Sequence, residues 1–217
     1  TVSMGGSLIF CNRNASTSGR VDLGRGGVIA AQKAYRANAG SATFNFDGTL
    51  ASRLHIAYPA APEGKVIFAA EQTHTDNSTF GNGVSTMYGI AEGTGIELKH
   101  LTGVLKFGVV GSATLKKVTV ATADHTPISG TFDIDFESGV VTPSDDAKNT
   151  ITYSFGKGVK LNSATPTYVH IALPAGEYSL LRVRFYDSEA DGLWRMGLAD
   201  LDLGIMGSHG AFEMQAK

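Results

Sequence analysis

The chain has 217 residues, of which 42% are hydrophobic, enough to fill one or two proper cores. Its formal charge is −2 and its Lys and Arg residues form no run, which argues against nucleic acid and against a polybasic membrane patch. The single cysteine, Cys11, excludes an internal disulfide framework, and no run of about 18 apolar residues is present to span a membrane as a helix.

The opening stretch TVSMGGSLIFC has a short apolar run and no basic segment before it, so Leu8–Phe10 reads as a strand and not as a signal. Thr1 is expected to begin a mature chain whose leader is absent from this sequence. A polar loop follows, with Arg13, Arg20 and Arg25 close by. Residues 27–37 are rich in alanine, which favours helix, but glycines bound a short element of either kind. Thr43–Phe46 reads as a strand ending at the Asp47-Gly48 turn. Leu54, Ile56 and Tyr58 alternate up to Pro59, and Val66–Ala70 is a further strand candidate. Residues 71–95 are polar and Gly-rich and read as an irregular connection, so a domain boundary is placed near Glu97, separating domains over 1–97 and 98–217.

Residues 98–136 carry the clearest pattern. Leu105, Phe107 and Val109 alternate with Lys106 and Gly108; Val118 and Val120 follow Lys116 and Lys117; Phe132, Ile134 and Phe136 alternate with Asp133 and Asp135. Successive strand side chains point to opposite faces, so these runs predict three consecutive antiparallel strands. Beyond them, Ile151, Tyr153 and Phe155 form a strand, and Gly156–Gly158 is expected to turn the chain into Val159 and Leu161. Val169, Ile171 and Leu173 form a strand that stops at Pro174-Ala175-Gly176. Leu181, Val183 and Phe185 return with Arg182 and Arg184 on the other face. Leu198–Ile205 and Ala211–Ala216 complete an all-β pattern with strands every 8–12 residues, which suggests a β-sandwich.

Chemistry-bearing constellations are sparse. Asp187, Glu189 and Asp191 before Gly192 resemble the start of a calcium loop, but the twelfth position holds Leu198 where a bidentate carboxylate is needed, so a solvated turn is expected. The six histidines are dispersed without zinc-ligand spacing, and His74 with Glu71 and Asp76 is read as part of a solvated loop. Cys11 has no base partner in sight. No G-x-S-x-G elbow, Walker loop or dinucleotide fingerprint occurs, and no pair of carboxylates stands out for glycoside hydrolysis. No catalytic, cofactor-binding or metal-binding residue is therefore assigned, and no cofactor is expected.

The motifs LHIAYP (54–59), AAEQT (69–73), STMYGIA (85–91), LKHLTGVLKFGVVGSATLKKVTV (98–120), SGTFDID (129–135) and YVHIALPAGEYSLLRVRFYD (168–187) occur in this order. Over about residues 42–192 the series resembles the fimbrillin-like proteins of Bacteroidales bacteria, subunits and adhesins of type V pili. The resemblance implies two β-sandwich domains of transthyretin-like topology, export to the cell surface and outer membrane as a lipoprotein, and a structural or adhesive role without enzymatic activity. It also implies partnership with other pilus subunits by strand exchange after a protease cuts behind an arginine, for which Arg13, Arg20 and Arg25 are the candidates. A host surface or glycan is a further expected partner, and nucleic acid is not. The alternative is a surface glycan-binding module that uses Tyr88, Tyr186 or Trp194 as an aromatic platform.

Overall fold

The structure, a computed structural model, describes residues 7–10, 20–23, 27–30, 37–38, 41–45, 53–59, 61–62, 64–76, 80–81, 83–92, 98–187, 192–203 and 211–216; side chains are described for 55–59, 61–62, 64–76, 80–81, 83–90, 98–187 and 197. Among the described residues every regular element is a strand. In chain order these are β1 (Ser7–Phe10), β2 (Arg20–Leu23), β3 (Gly27–Ala30), β4 (Ala37–Asn38), β5 (Ser41–Asn45), β6 (Arg53–Tyr58), β7 (Lys65–Phe68), β8 (Glu71–Thr73), β9 (Met87–Glu92) and β10 (Lys99–His100). They continue as β11 (Thr102–Val109), β12 (Thr114–Thr122), β13 (Gly130–Ile134), β14 (Val141–Pro143), β15 (Thr150–Lys160), β16 (Thr167–Pro174), β17 (Gly176–Tyr186), β18 (Gly192–Leu203) and β19 (Ala211–Ala216). The all-β expectation is met; of the ambiguous stretch 27–37, the described residues form β3 and the start of β4, and 31–36 lie outside the described residues.

The chain divides into two compact units. One comprises Thr1–Ile67, Thr86–His100 and Thr131–Thr142; the other comprises Phe68–Ser85, Leu101–Gly130 and Pro143–Lys217. In the first unit β1-β5-β4, β2-β3, β10-β9-β6 and β14-β13-β7 are the hydrogen-bonded sets. Lys65 on β7 and Asp133 on β13 form an ion pair at 3.0 Å. Tyr88 is buried at 8% exposure beside Phe136, ring centroids 6.4 Å apart, and Phe136 in turn stacks on His55 at 4.5 Å.

The second unit is a sandwich. One sheet has the order β16-β11-β19 and the other β18-β17-β12-β15-β8. Their alternating apolar faces supply a single core that includes Leu105, Phe107, Val118, Val120, Tyr153, Ile171, Val183 and Phe185. Phe107 of one sheet meets Phe185 of the other edge to face, centroids 5.6 Å apart at 77°. Tyr178 closes a corner by donating its buried hydroxyl to the Pro174 carbonyl oxygen at 2.5 Å, and burial raises its pKa.

Three sequence expectations are corrected. The runs of the central block are strands, but no two of them pair: β11 bonds to β16 and β19, β12 to β15 and β17, and β13 to β7 and β14. In the sandwich unit β11 and β12 lie in opposite sheets because each turns its apolar face to the same core. Gly156–Gly158 do not turn the chain. They sit inside β15 as a bulge, where Leu115 and Lys117 of β12 pair with Val159 and Ser154. Gly158 has φ +96°, and a Cβ there would lie 2.8 Å from Thr114 Cγ2, so the bulge needs glycine. The stretch 71–95 is not an unbroken irregular connection, since β8 and β9 both fall within it.

Candidate functional site

The sandwich unit has a conspicuous arrangement at the outer edge of β16. That strand bonds to β11 on one side, leaving alternate N–H and C=O groups facing away. Gln72, on the short strand β8, is 2% exposed and aims its amide at this edge. Its Nε2 donates to the Ala172 carbonyl oxygen at 2.6 Å, and the Ala172 N–H donates to its Oε1 at 3.0 Å. A further bond from Nε2 to the Ala69 carbonyl oxygen at 3.2 Å holds the side chain in place. Gln72 is in register with Tyr153 of β15, and two residues before Ala172 the His170 N–H bonds to the Tyr153 hydroxyl oxygen. Side chains from one sheet thereby imitate a neighbouring strand for the other. An open edge is a template for another chain, and here that template is occupied.

The Tyr153 hydroxyl also lies 3.1 Å from His74 Nδ1. The His170 N–H and His74 Nδ1 both reach this hydroxyl, which can accept two hydrogen bonds and donate one. Burial pushes the Tyr153 phenol up to about 12 and pulls His74 below its ordinary value, the Asp76 carboxylate opposing the latter. His170 is 6% exposed, and its Nδ1 is buried without a hydrogen-bond partner. Burial lowers its pKa, and Lys106 and His74 lower it further, with Asp76 acting the other way. His74 therefore packs on Tyr153 and Phe155, the latter 4.8 Å away between centroids, and does not belong to a solvated loop as its sequence neighbours suggested. Among the described residues no group of three His, Cys, Asp or Glu could hold a metal ion.

On the opposite face of the five-stranded sheet, the described side chains of β12 and β17 reach solvent. On β17, Arg182 and Arg184 are exposed and Tyr186 is half-buried; on β12, Lys117 and Thr119 are half-buried. Lys117 is in register with Tyr186, and its Nζ stands 4.8 Å from the ring centroid. Thr119 and Arg184 both hydrogen-bond the Tyr186 side chain. The Thr119 bond is the main cause of a phenol pKa below the ordinary value, and the Arg184 and Lys117 charges pull the same way.

The other sequence-derived candidates are dispersed. Tyr88 is too buried to serve as a platform, because its hydroxyl packs against Gly139, where an added Cβ would lie 2.1 Å from it. Trp194 is in register with Phe185, but its side chain lies outside the described residues. Arg20 begins β2 opposite Ala30, while Arg13, Arg25, Cys11, His209, Glu189 and Asp191 lie outside the described residues. The sequence signal for the Gln72 contact is weak, since its partner is 100 residues away and EQT is too short to show a period.

No protein-family model and no curated protein matches the chain. Solved structures resemble it, among them two Bacteroides proteins. One is a protein of Bacteroides ovatus assigned to cell adhesion, with 10% identity, a TM-score of 0.48, and coverage of 94% of this chain and 84% of that one. The other, from Bacteroides uniformis with the same assignment, has 8% identity, a TM-score of 0.45, and coverage of 88% and 89%. At TM-scores below 0.5, neither defines what this chain does.

Proposed function

We propose that this chain is a non-enzymatic structural or adhesive protein of the bacterial cell surface, related to fimbrillin-like pilus subunits. The observation that carries the reading is that the two longest of the ordered motifs, 98–120 and 168–187, pair strand to strand. LTGVLKFGV becomes β11 and YVHIALP becomes β16, its antiparallel neighbour, while KKVTV of β12 pairs with LRVRFY of β17. These two motifs thus supply paired strands of the two-sheet core, while LHIAYP and STMYGIA pair with each other as β6 and β9 in the other unit.

Assembly by strand exchange fits the edges. The β16 edge is closed by Gln72 and Tyr153, whereas the other edge of that sheet is β19, a strand held by parallel pairing to β11 alone, from Val104 opposite Ala211 to Val109 opposite Ala216. Such a strand leaves without breaking any other pairing. β1 is likewise the edge of its sheet, paired only to β5. In this reading a cut behind Arg13, Arg20 or Arg25 releases β1, and β19 of another copy adds to the exposed β5.

Limited trypsin cleavage followed by size-exclusion chromatography tests the reading. Cleaved chain is expected to form oligomers, and a variant lacking residues 211–217 is expected to remain monomeric after the same treatment. Cleaved chain that stays monomeric at high concentration, or oligomers that survive the deletion, would overturn strand exchange.

A further inference from the structure

The solvent-facing side of β12 and β17 gathers cations that are dispersed in the sequence. Lys117 and Arg184 come from strands some 67 positions apart, yet the registers Lys117–Tyr186 and Thr119–Arg184 set them diagonally next to each other. Arg182 lies two residues from Arg184 on the same face, about 7 Å along the strand. Arg195 on β18 occupies the register position beside Arg184, and its side chain lies outside the described residues. No described carboxylate pairs with Arg182 or Arg184. The exposed carboxylates nearest to this face stand at the margins: Glu71 across Thr152 on the far strand β8, Glu177 at the start of β17, Asp124 beyond the end of β12 beside Ser179, and Asp187 just beyond the end of β17. For a chain of net charge −2, this is a marked local excess of positive charge.

We propose that the face built by Lys117, Thr119, Arg182, Arg184 and Tyr186 binds an acidic polysaccharide, one bearing carboxylate or sulfate groups on a sugar chain. Three features select this occupant. The guanidinium groups can take anions in bidentate fashion at regular intervals along a strand. Beside the cations stands the hydroxyl of Thr119 and, one strand further, that of Thr152, neutral donors and acceptors suited to sugar hydroxyls. The face is also a broad sheet surface, which suits an extended chain more than a small ion. Tyr186 serves as an anchor for Lys117 and not as a bare stacking platform, because the ammonium already stands over its ring.

Other polyanions fit less well. A duplex is held chiefly through many phosphate contacts, which a chain of net charge −2 with three described cations on this face does not favour. An anionic bilayer surface is held by clusters of about four to eight Lys and Arg, more than Lys117, Arg182 and Arg184 supply.

Isothermal titration of the full chain in 50 mM and 300 mM NaCl tests the proposal, with polygalacturonate as the carboxylate polymer, chondroitin sulfate as the sulfated one, dextran as the neutral one, and phosphatidylglycerol vesicles as the lipid arm. Binding of at least one acidic polymer is expected, weakening in high salt, with no binding of dextran. The tighter of the two polymers identifies the anion. Arg182→Gln combined with Arg184→Gln should weaken binding at least tenfold, whereas Lys148→Gln, which removes an equally exposed cation elsewhere in the unit, should change it less than twofold. Unchanged thermal melting by circular dichroism establishes that the double variant is folded. Absence of binding to both acidic polymers at low salt, equal loss in Lys148→Gln, equal binding of dextran, or binding of vesicles alone would each overturn it. The result is independent of strand exchange, since a chain that never oligomerises still presents this face.

Discussion

Gln72 and Ala172 exchange two hydrogen bonds as a pair of peptide groups would: the amide Nε2 donates to the Ala172 oxygen at 2.6 Å and Oε1 accepts from the Ala172 N–H at 3.0 Å. Gln72→Ala removes both partners at once and leaves a buried donor and acceptor unpaired. The expected loss is about 1–3 kcal/mol for each group left without a partner. Urea denaturation should show a lower midpoint with little change in slope, and a midpoint equal to wild type would show that the edge does not depend on this side chain.

The histidines make stability depend on pH in a definite direction. His74, His100 and His170 are all held below 6.5, chiefly by burial. The folded protein therefore resists protonation that the unfolded chain accepts from about 6.5 downward. Their contribution is complete above pH 6.5 and is lost as the pH falls from there through the lower folded values. Urea midpoints at pH 7.5 and 5.0 should differ, with the acid value lower, and His170→Gln should narrow the gap. A gap of the same size in that variant would remove His170 from the account.

Gly130 tests a backbone constraint. Its φ is +95°, and a Cβ would stand 2.9 Å from both the Ala147 Cα and the Asp146 oxygen, atoms that cannot swing aside. Gly130→Ala is expected to cost about 1–3 kcal/mol from the dihedral alone, with the contact adding to it. A thermal midpoint within a degree of wild type would contradict this.

The two sheets of the sandwich are coupled through Phe107 and Phe185. Phe107→Ala should cost about 3–5 kcal/mol, because both rings are fully buried. A double-mutant cycle with Phe185→Ala should return a coupling of about 0.5–1.5 kcal/mol for the edge-to-face pair. Strictly additive losses would mean that the rings are buried independently.

What the sequence determined by itself is the face of each strand. Alternation alone puts Val118 and Val120 inward and Lys117 and Thr119 outward, and it separates Leu181, Val183 and Phe185 from Arg182 and Arg184, because a strand has a side-chain period of two whatever it pairs with. Pairing was not determined in this way. β11 and β12 follow one another in the chain yet sit in opposite sheets, since a seam between sheets satisfies the same pattern as a hairpin. The glycines at 156–158 looked like a turn, because positive φ serves a bulge as well as a reversal, and the partner strand chooses between them. Gln72 looked like a loop residue until β16 arrived beside it from 100 positions away. The cations at 117, 182 and 184 become one surface only through the β12–β17 register, a property of hydrogen bonds between distant segments that no local pattern encodes.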